Sequence, residues 1–448
     1  MKKYDSFLKI IKGLIPFWNI IIFCYVWALF YNGQAYAEFR LETMLISVFL
    51  YLVVYIALGK LYDAFKIGTY RITELILSQL LAFGIADVCL YLECCLMRGG
   101  VVDIRPGAIA ALIQLVGSIA LIVSAKHYFL QNIPPQDAVL IYGSGLKEQS
   151  GTQNAVASET SFEEKIRKKL PHMFQIRETV ADSVPIEDLL GRVRKYDTVM
   201  LYQVEEDLRV RLLAESIQMG KNIYTTPRIE DILLTNFENR HMIDTPLLKA
   251  KTGISEYSGK RIMDIFVSAV MLLLFSPFML IIAAAIKLED GGPVFFKQKR
   301  VTKGGRVFEI LKFRSMRPDA EKDGAQVCTV GDDRITHVGR VIRATRFDEI
   351  PQLINILKGD MSVVGPRPER VEHVEKYTEA LPEFAYRLRV RGGLTGYAQI
   401  YGKYNTSAED KLKMDLMYIE RQSLLLDLQL IFLTIKIIFI PESTEGFS

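Results

Sequence analysis

With 448 residues the chain has room for two or three domains, and a 50% hydrophobic composition with a mean hydropathy of +0.18 is too apolar for an ordinary soluble enzyme, so membrane segments are expected. The net charge of +4 is small, and Lys and Arg are spread along the chain rather than gathered in a stripe, which argues against a nucleic-acid partner. Cys24, Cys89, Cys94 and Cys95 lie in apolar runs and Cys328 stands alone, without His or Cys at ligand spacing, so the pattern supports neither a disulfide framework nor a zinc site.

Four apolar stretches, 14–31, 44–59, 75–96 and 108–129, each approach the ~20 residues that a helix needs to cross a bilayer. The basic start lacks a small-residue cleavage site, so the first stretch reads as a retained helix rather than a signal peptide. Lys2, Lys3, Lys9 and Lys12 precede the first helix, Lys60, Lys66 and Arg71 fill the second connection, and Lys126 ends the fourth helix. The first connection has only Arg40, so positive-inside counting puts both ends of the bundle in the cytoplasm.

A double proline then leads into a short apolar run that stops at Gly143-Ser144-Gly145. Further runs at "MFQI", "TVMLYQ" and "NIYTTP" alternate with helical stretches, which predicts a small parallel sheet covered by helices over residues 136 to about 240. The glycine turn is a poor dinucleotide fingerprint, because its third glycine position holds Glu148. The fifth apolar run, 262–286, is broken by Ser276-Pro277 and flanked by Lys260, Arg261 and Lys287. Proline removes an amide donor and clashes with the preceding turn, so a helix that enters the membrane, bends and returns to the same face is expected, with a kinked spanning helix as the alternative. Asp264, one turn into that run, needs a basic partner or the headgroup layer. The last apolar stretch carries Asp427 and Lys436 and suits the membrane surface better than its interior.

Between them lies "RFDEIPQL", residues 346–353, with two adjacent acids. Pro351 suits the first residue of a helix, which would set Asp348 and Glu349 just before a helix N-terminus, where anions and phosphate are favoured. Two carboxylates and a diphosphate need cations. The available ones are Arg343, Arg346, Arg367 and a divalent metal, for which Mg²⁺ is expected because it is held by one or two carboxylates together with substrate phosphates. An aspartate so placed can also attack phosphorus and form an acyl phosphate.

"KRIMDIF", the Ser276-Pro277 break, "GGPVFFKQKRVTKGGRVFEILKFRSM", "RFDEIPQLINILKGDMSVVGPRPE" and "GLTGYAQI" together resemble the bacterial sugar transferase family, the monotopic polyprenyl-phosphate sugar-1-phosphate transferases, over residues 258–448. The resemblance implies transfer of a sugar 1-phosphate from a UDP-sugar to undecaprenyl phosphate with release of UMP, the first membrane step of exopolysaccharide, capsule or O-antigen synthesis. It implies Asp348 as nucleophile, Glu349 as base or metal ligand, and Lys312, Arg314, Arg343 and Arg367 as cationic partners of phosphates and nucleotide; Lys260, Arg261 and Asp264, near the headgroups, are expected to bind substrate as well. Phe347 stands where the family usually has leucine, and Gly392-Gly393 replaces its Pro-Gly, which should loosen that turn.

The expected layout is thus an α/β membrane protein. A four-helix transmembrane bundle (1–132) comes first, then a Rossmann-like cytoplasmic domain (133–250), then a mostly helical monotopic catalytic domain (251–448) with a re-entrant helix at 262–286. The expected location is the inner bacterial membrane with catalysis on its cytoplasmic face, among membrane lipids, and large family members suggest a homodimer. Membrane-bound nucleotide-sugar dehydratases share the early layout, but the chain's Tyr-x-x-x-Lys pair, Tyr62 with Lys66, falls between membrane helices. A scaffold would leave the motifs from Lys260 to Gly396 unexplained, and a transporter would need more buried charge than Asp87 and Glu93 supply.

Overall fold

The computed structural model describes residues 2–31, 41–143, 162–168, 170–235, 238–240, 247–249, 256–318, 320, 332–402 and 406–438. Ser144, Gly145, Glu148 and Cys328 lie outside them. The chain divides into two compact units, Met1–Thr226 and Pro227–Ser448.

The first unit begins with α1 (Lys2–Val26), α2 (Leu41–Leu61), α3 (Ile72–Arg98) and α4 (Arg105–Asn132). Their apolar residues run all round each helix, as expected of segments that face lipid on one side and one another on the other. Three stretches, Gly13–Phe30, Ile72–Arg98 and Arg105–Asn132, are long and apolar enough to cross a membrane, while Leu45–Leu61 is apolar but shorter. Leu45, Phe49, Val53, Leu112 and Val116 remain exposed on the bundle's outside. Its inside is held by a buried polar column in which Asn19 donates to Tyr55 and Ser118, Tyr55 to Gln79, and Gln114 to Tyr51. Such bonds replace the hydrophobic drive that lipid cannot supply. Gly117 is required by close approach, since a Cβ there would lie 2.1 Å from the Trp18 indole nitrogen.

The second part of this unit is a four-stranded parallel sheet of order β2-β1-β3-β4, with β1 at Gln136–Tyr142, β2 at Phe174–Ala181, β3 at Thr198–Tyr202 and β4 at Asn222–Thr225. Successive side chains of a strand point to opposite faces. Val139 and Ile141 therefore pack with Leu189 of α5 (Ile186–Lys195) and Leu212 of α6 (Glu206–Gln218), while Ala138 and Leu140 meet Ile166, Phe174 and Ile176 on the other face. Near-continuous apolar strands are what a parallel sheet covered on both faces demands.

The second unit opens with α7 (Ile229–Leu234), the short antiparallel pair β5 (Glu238–Arg240) and β6 (Leu247–Lys249), and the 31-residue α8 (Lys260–Asp290). Ser276 and Pro277 lie inside α8, with the Ser276 hydroxyl donating to Leu273 O. The hairpin β7 (Phe295–Val301) and β8 (Val307–Phe313) follows, then α9 (His337–Ala344), α10 (Gln352–Lys358), β9 (Ser362–Val364), α11 (Val371–Ala380), β10 (Gly393–Thr395), α12 (Tyr397–Tyr401), α13 (Ala408–Arg421) and α14 (Leu424–Ile438). One core gathers Phe308, Leu353, Ile356, Val364, Phe384, Leu416 and Leu430, with Val267 and Met271 of α8 against it. A second gathers Ile282 and Ile286 of α8 with Phe313 and Ile342. Most of α8 stays bare, including Phe266, Leu273, Leu280 and Leu288.

Candidate active site

Asp348 and Glu349 occupy their own 3₁₀ turn, Phe347–Glu349, between α9 and α10. Arg346, just before it, has a φ of 57°, in the left-handed region that a non-glycine residue adopts at a cost. That residue stands between the end of α9 and the acid turn. Pro351 is the residue at the cap of α10, and the acids stand before it rather than at the capping position, so α10 itself adds little to an anion site.

The two carboxylates live in different surroundings. One Glu349 oxygen, Oε1, accepts from Lys312 Nζ at 2.9 Å and from Arg367 at 2.7 Å. Burial alone would raise this carboxyl, but Arg367 and Lys312 outweigh it and hold it well below the usual carboxylate range. The Asp348 carboxylate makes no hydrogen bond or ion pair among the described residues. Burial raises its pKa; Lys312 opposes that rise, and the like charge of Glu349 adds to it. One acid is therefore clamped and ionised, and its neighbour is left open toward whatever enters the site.

The clamp is built from distant parts of the chain. Lys312 comes from the end of β8, where Asn355 holds the strand by accepting from Leu311 N and donating to Glu309 O. Arg367 comes from the loop after β9, whose consecutive carbonyls are all taken. Pro366 O accepts from Gly393 N, Arg367 O from Arg387, Pro368 O from Arg300, and Glu369 O from Val301 N. Arg387 in turn pairs with the buried Asp415 at 2.7 Å, and burial pushes the Asp415 carboxyl up to about 6. Arg300 is largely buried, and desolvation together with the neighbouring Arg367 charge brings its pKa down to about 10. Arg343 directs its Nε at Ser315 Oγ, 2.8 Å away, and its charge acts on Asp348.

Of the residues expected from the sequence, Asp348, Glu349, Lys312, Arg343 and Arg367 converge on one site. The others are engaged elsewhere. Lys260 is 1% exposed and donates to Asp427 at 2.7 Å, to Tyr418 and to Val364 O. Arg261 donates to Ile356 O and Leu357 O, capping the end of α10, where a cation suits the helix dipole. Asp264 is buried, accepting from Ser362 Oγ at 2.8 Å and Val363 N at 2.9 Å. Arg314 pairs with Asp290 at the end of α8. These four tie α8 to the catalytic body instead of facing the acid pair. Nor is the Gly392-Gly393 turn loose. Gly392 N donates to Thr302 Oγ1, a bond proline could not make, and Ser362 N donates to Gly392 O. Position 393 needs glycine because a Cβ there would lie 2.1 Å from Gly365 N.

Arg300, Arg387 and Asp415 were not singled out in the sequence. Only the arrangement of Arg300 in a strand pairing with β8 hints at the first, and no spacing links Arg387 to Asp415. As for a metal, no cluster of three or more His, Cys, Asp or Glu side chains converges among the described residues. Mg²⁺ needs only one or two carboxylates beside substrate phosphates, and the adjacent Asp348 and Glu349, one without a protein partner, fit that demand.

The arrangement suits nucleophilic attack by a carboxylate on a phosphate group held among cations. The family model described as bacterial sugar transferase matches residues 255–441. The chain is 41% identical over 255 residues to a UDP-N-acetylgalactosamine-undecaprenyl-phosphate N-acetylgalactosaminephosphotransferase of Aeromonas hydrophila, covering 56% of this chain and 60% of that relative. It is 43% identical over 183 residues to a UDP-glucose:undecaprenyl-phosphate glucose-1-phosphate transferase of Caulobacter vibrioides, covering 39% of this chain and 68% of the relative. An exopolysaccharide production protein, ExoY, of Rhizobium meliloti is 40% identical over 192 residues, covering 40% of this chain and 84% of the relative. With its acid pair, its clamp and these matches, the chain belongs to the bacterial sugar transferase family.

Proposed function

We propose that this protein transfers a sugar 1-phosphate from a UDP-sugar to undecaprenyl phosphate, releasing UMP, through a phosphosugar carried on Asp348. The observation that carries the reading is the division of labour between the two acids: Glu349 is clamped by Lys312 and Arg367, and Asp348 is left open beside it. The names of the relatives supply the substrate class.

An Asp348 oxygen attacks the phosphorus attached to the sugar. The bond from that phosphorus to the bridging oxygen breaks, and its electron pair leaves with UMP. A phosphate oxygen of the lipid then attacks the same phosphorus, and the Asp348 carboxylate departs with the electrons of the acyl-phosphate bond. Glu349, ionised across the working pH range and held by Lys312 and Arg367, has too little affinity for a proton to be an effective base, which favours its role as an anchor of those cations or a metal ligand. Lys312, Arg343 and Arg367 offset charge on the transferring group. A Mg²⁺ held by Asp348 and Glu349 would supply further neutralisation of the diphosphate.

A membrane location on the cytoplasmic face belongs to the same reading, with α8 as a helix that enters the bilayer and returns. A straight 31-residue helix would be roughly 46 Å long. What supports a return is that both halves of α8 pack on one catalytic body, Met271 against the core of Ile356 and Val364, and Ile286 against Phe313 and Ile342. A helix that crossed would carry its second half away from that body.

The test is UMP release from a panel of UDP-sugars by the protein in lipid particles, with and without undecaprenyl phosphate. UMP from one donor, lost in Asp348→Asn, is the expected result; release of UDP, or an active Asp348→Asn, overturns the reading.

A further inference from the structure

The residue before Asp348 links the acid turn to the membrane helix. The Phe347 ring lies edge-on to Phe275 at 5.7 Å and to Phe278 at 6.3 Å, and these two flank Ser276 and Pro277 inside α8. Phe275 and Phe278 are themselves 6.3 Å apart, which closes a three-ring cluster. On its inner side Phe347 packs against the core of Phe313 and Ile342. On its outer side the cluster is bare. Phe278 is 50% exposed, and Leu274, Leu280 and Ile281 continue the apolar surface along α8.

Resting on the function proposed above, we propose that the Phe275–Phe347–Phe278 cluster seats the first isoprene units of the acceptor lipid, so that its phosphate meets the phosphosugar on Asp348. Three constraints single out this occupant. The acceptor is a charged phosphate on an apolar chain, so one end must reach Asp348 while the other stays in hydrocarbon. The aromatic cluster begins one residue from Asp348 and continues onto the exposed apolar face of α8, where the Ser276 hydroxyl is turned to Leu273 O of its own helix. Lys312 and Arg343 stand on the Asp348 side to receive the phosphate. Rings set edge-to-face present both π faces and edges, a surface that favours unsaturated isoprene units near the phosphate over a saturated alkyl chain. The phenylalanine at position 347 is thereby a specificity element of the acceptor step and takes no part in donor cleavage.

A two-step reaction separates the outcomes. The full-length protein in nanodiscs is mixed with its UDP-sugar alone, and the UMP burst is measured. Undecaprenyl phosphate, or a saturated alkyl phosphate of matched length, is then titrated in. For Phe278→Ala we expect a burst of wild-type rate and size, an undecaprenyl phosphate KM raised about two- to tenfold, and a reduced preference over the saturated phosphate. Phe278→Leu should fall between the two, which guards against a variant that merely packs badly. An unchanged lipid KM, or a burst slowed in step with the lipid reaction, overturns the proposal and leaves the cluster as a brace for the acid turn. Equal preference for both phosphates in the wild type also overturns it. A wild type with no UMP burst defeats the functional reading itself, a result that the donor step alone reveals.

Discussion

Lys260→Met asks whether the basic residue at the start of α8 serves substrate or fold. Lys260 Nζ and Asp427 Oδ2 are 2.7 Å apart with side chains 1% and 0% exposed, so the pair has no water to fall back on. Removing one partner of a buried pair leaves an uncompensated charge and costs about 3–5 kcal/mol. Asp427 keeps two donors, Tyr257 at 2.9 Å and Tyr418 at 2.8 Å, which puts the expected loss near the lower end, about 3 kcal/mol. For a unit running from Pro227 to Ser448, each kcal/mol moves Tm by roughly 2–4 °C, so Tm should fall by about 6–12 °C. Lys260→Met/Asp427→Leu removes both charges and should lose less than the single variant. The assay is thermal unfolding of the detergent-purified protein, paired with the donor KM. An unchanged Tm together with a raised donor KM would refute the packing role and return Lys260 to the substrate.

Arg367→Ala removes the 2.7 Å bond to Glu349 and a cation beside Asp348, and kcat/KM for UMP release should fall about 10- to 100-fold, since charge-assisted bonds contribute roughly 1.5–3 kcal/mol. Its Tm should fall less than that of Lys260→Met, because the side chain is 40% exposed and Glu349 keeps Lys312. In the proposed mechanism the donor step requires ionised Asp348, whose folded pKa burial raises above the usual aspartate value, so UMP release should decline with falling pH at a higher pH than an ordinary aspartate would set. Glu349, with its depressed pKa, stays ionised there, and Glu349→Gln should move the residual activity's acid limb downward by removing a like charge and freeing Lys312 and Arg367 for Asp348. Arg387→Met strands buried Asp415. That carboxyl already titrates near 6, binding its proton more readily when folded than unfolded, so stability falls as pH rises through that range and the variant's Tm loss should be larger at pH 8 than at pH 5.

Much of the site is local in sequence. Asp348 and Glu349 are neighbours, Pro351 marks the start of a helix close beside them, and Arg343 lies five residues before Asp348, so their company needed no fold to be suspected. The strands were legible for a similar reason, since apolar runs of four to eight residues separated by helical stretches admit few arrangements other than a covered parallel sheet. The charged start of α8 was not. Lys260, Arg261 and Asp264 sit where lipid headgroups are expected, and the period of the helix does not say which way each points.

What the sequence by itself determined is the inventory: apolar helices, a parallel sheet, and two acids with a supply of cations. Only the tertiary structure decided the allotment. Glu349 meets Lys312 from 37 residues before it and Arg367 from 18 after it, Arg387 meets Asp415 across 28, and Lys260 meets Asp427 across 167. A buried charge must find an opposite one, and which one lies within 3 Å is set by how the cores of Ile356 and Phe313 bring α8, β8 and β9 together. That packing leaves Asp348, alone of the two adjacent acids, open to react.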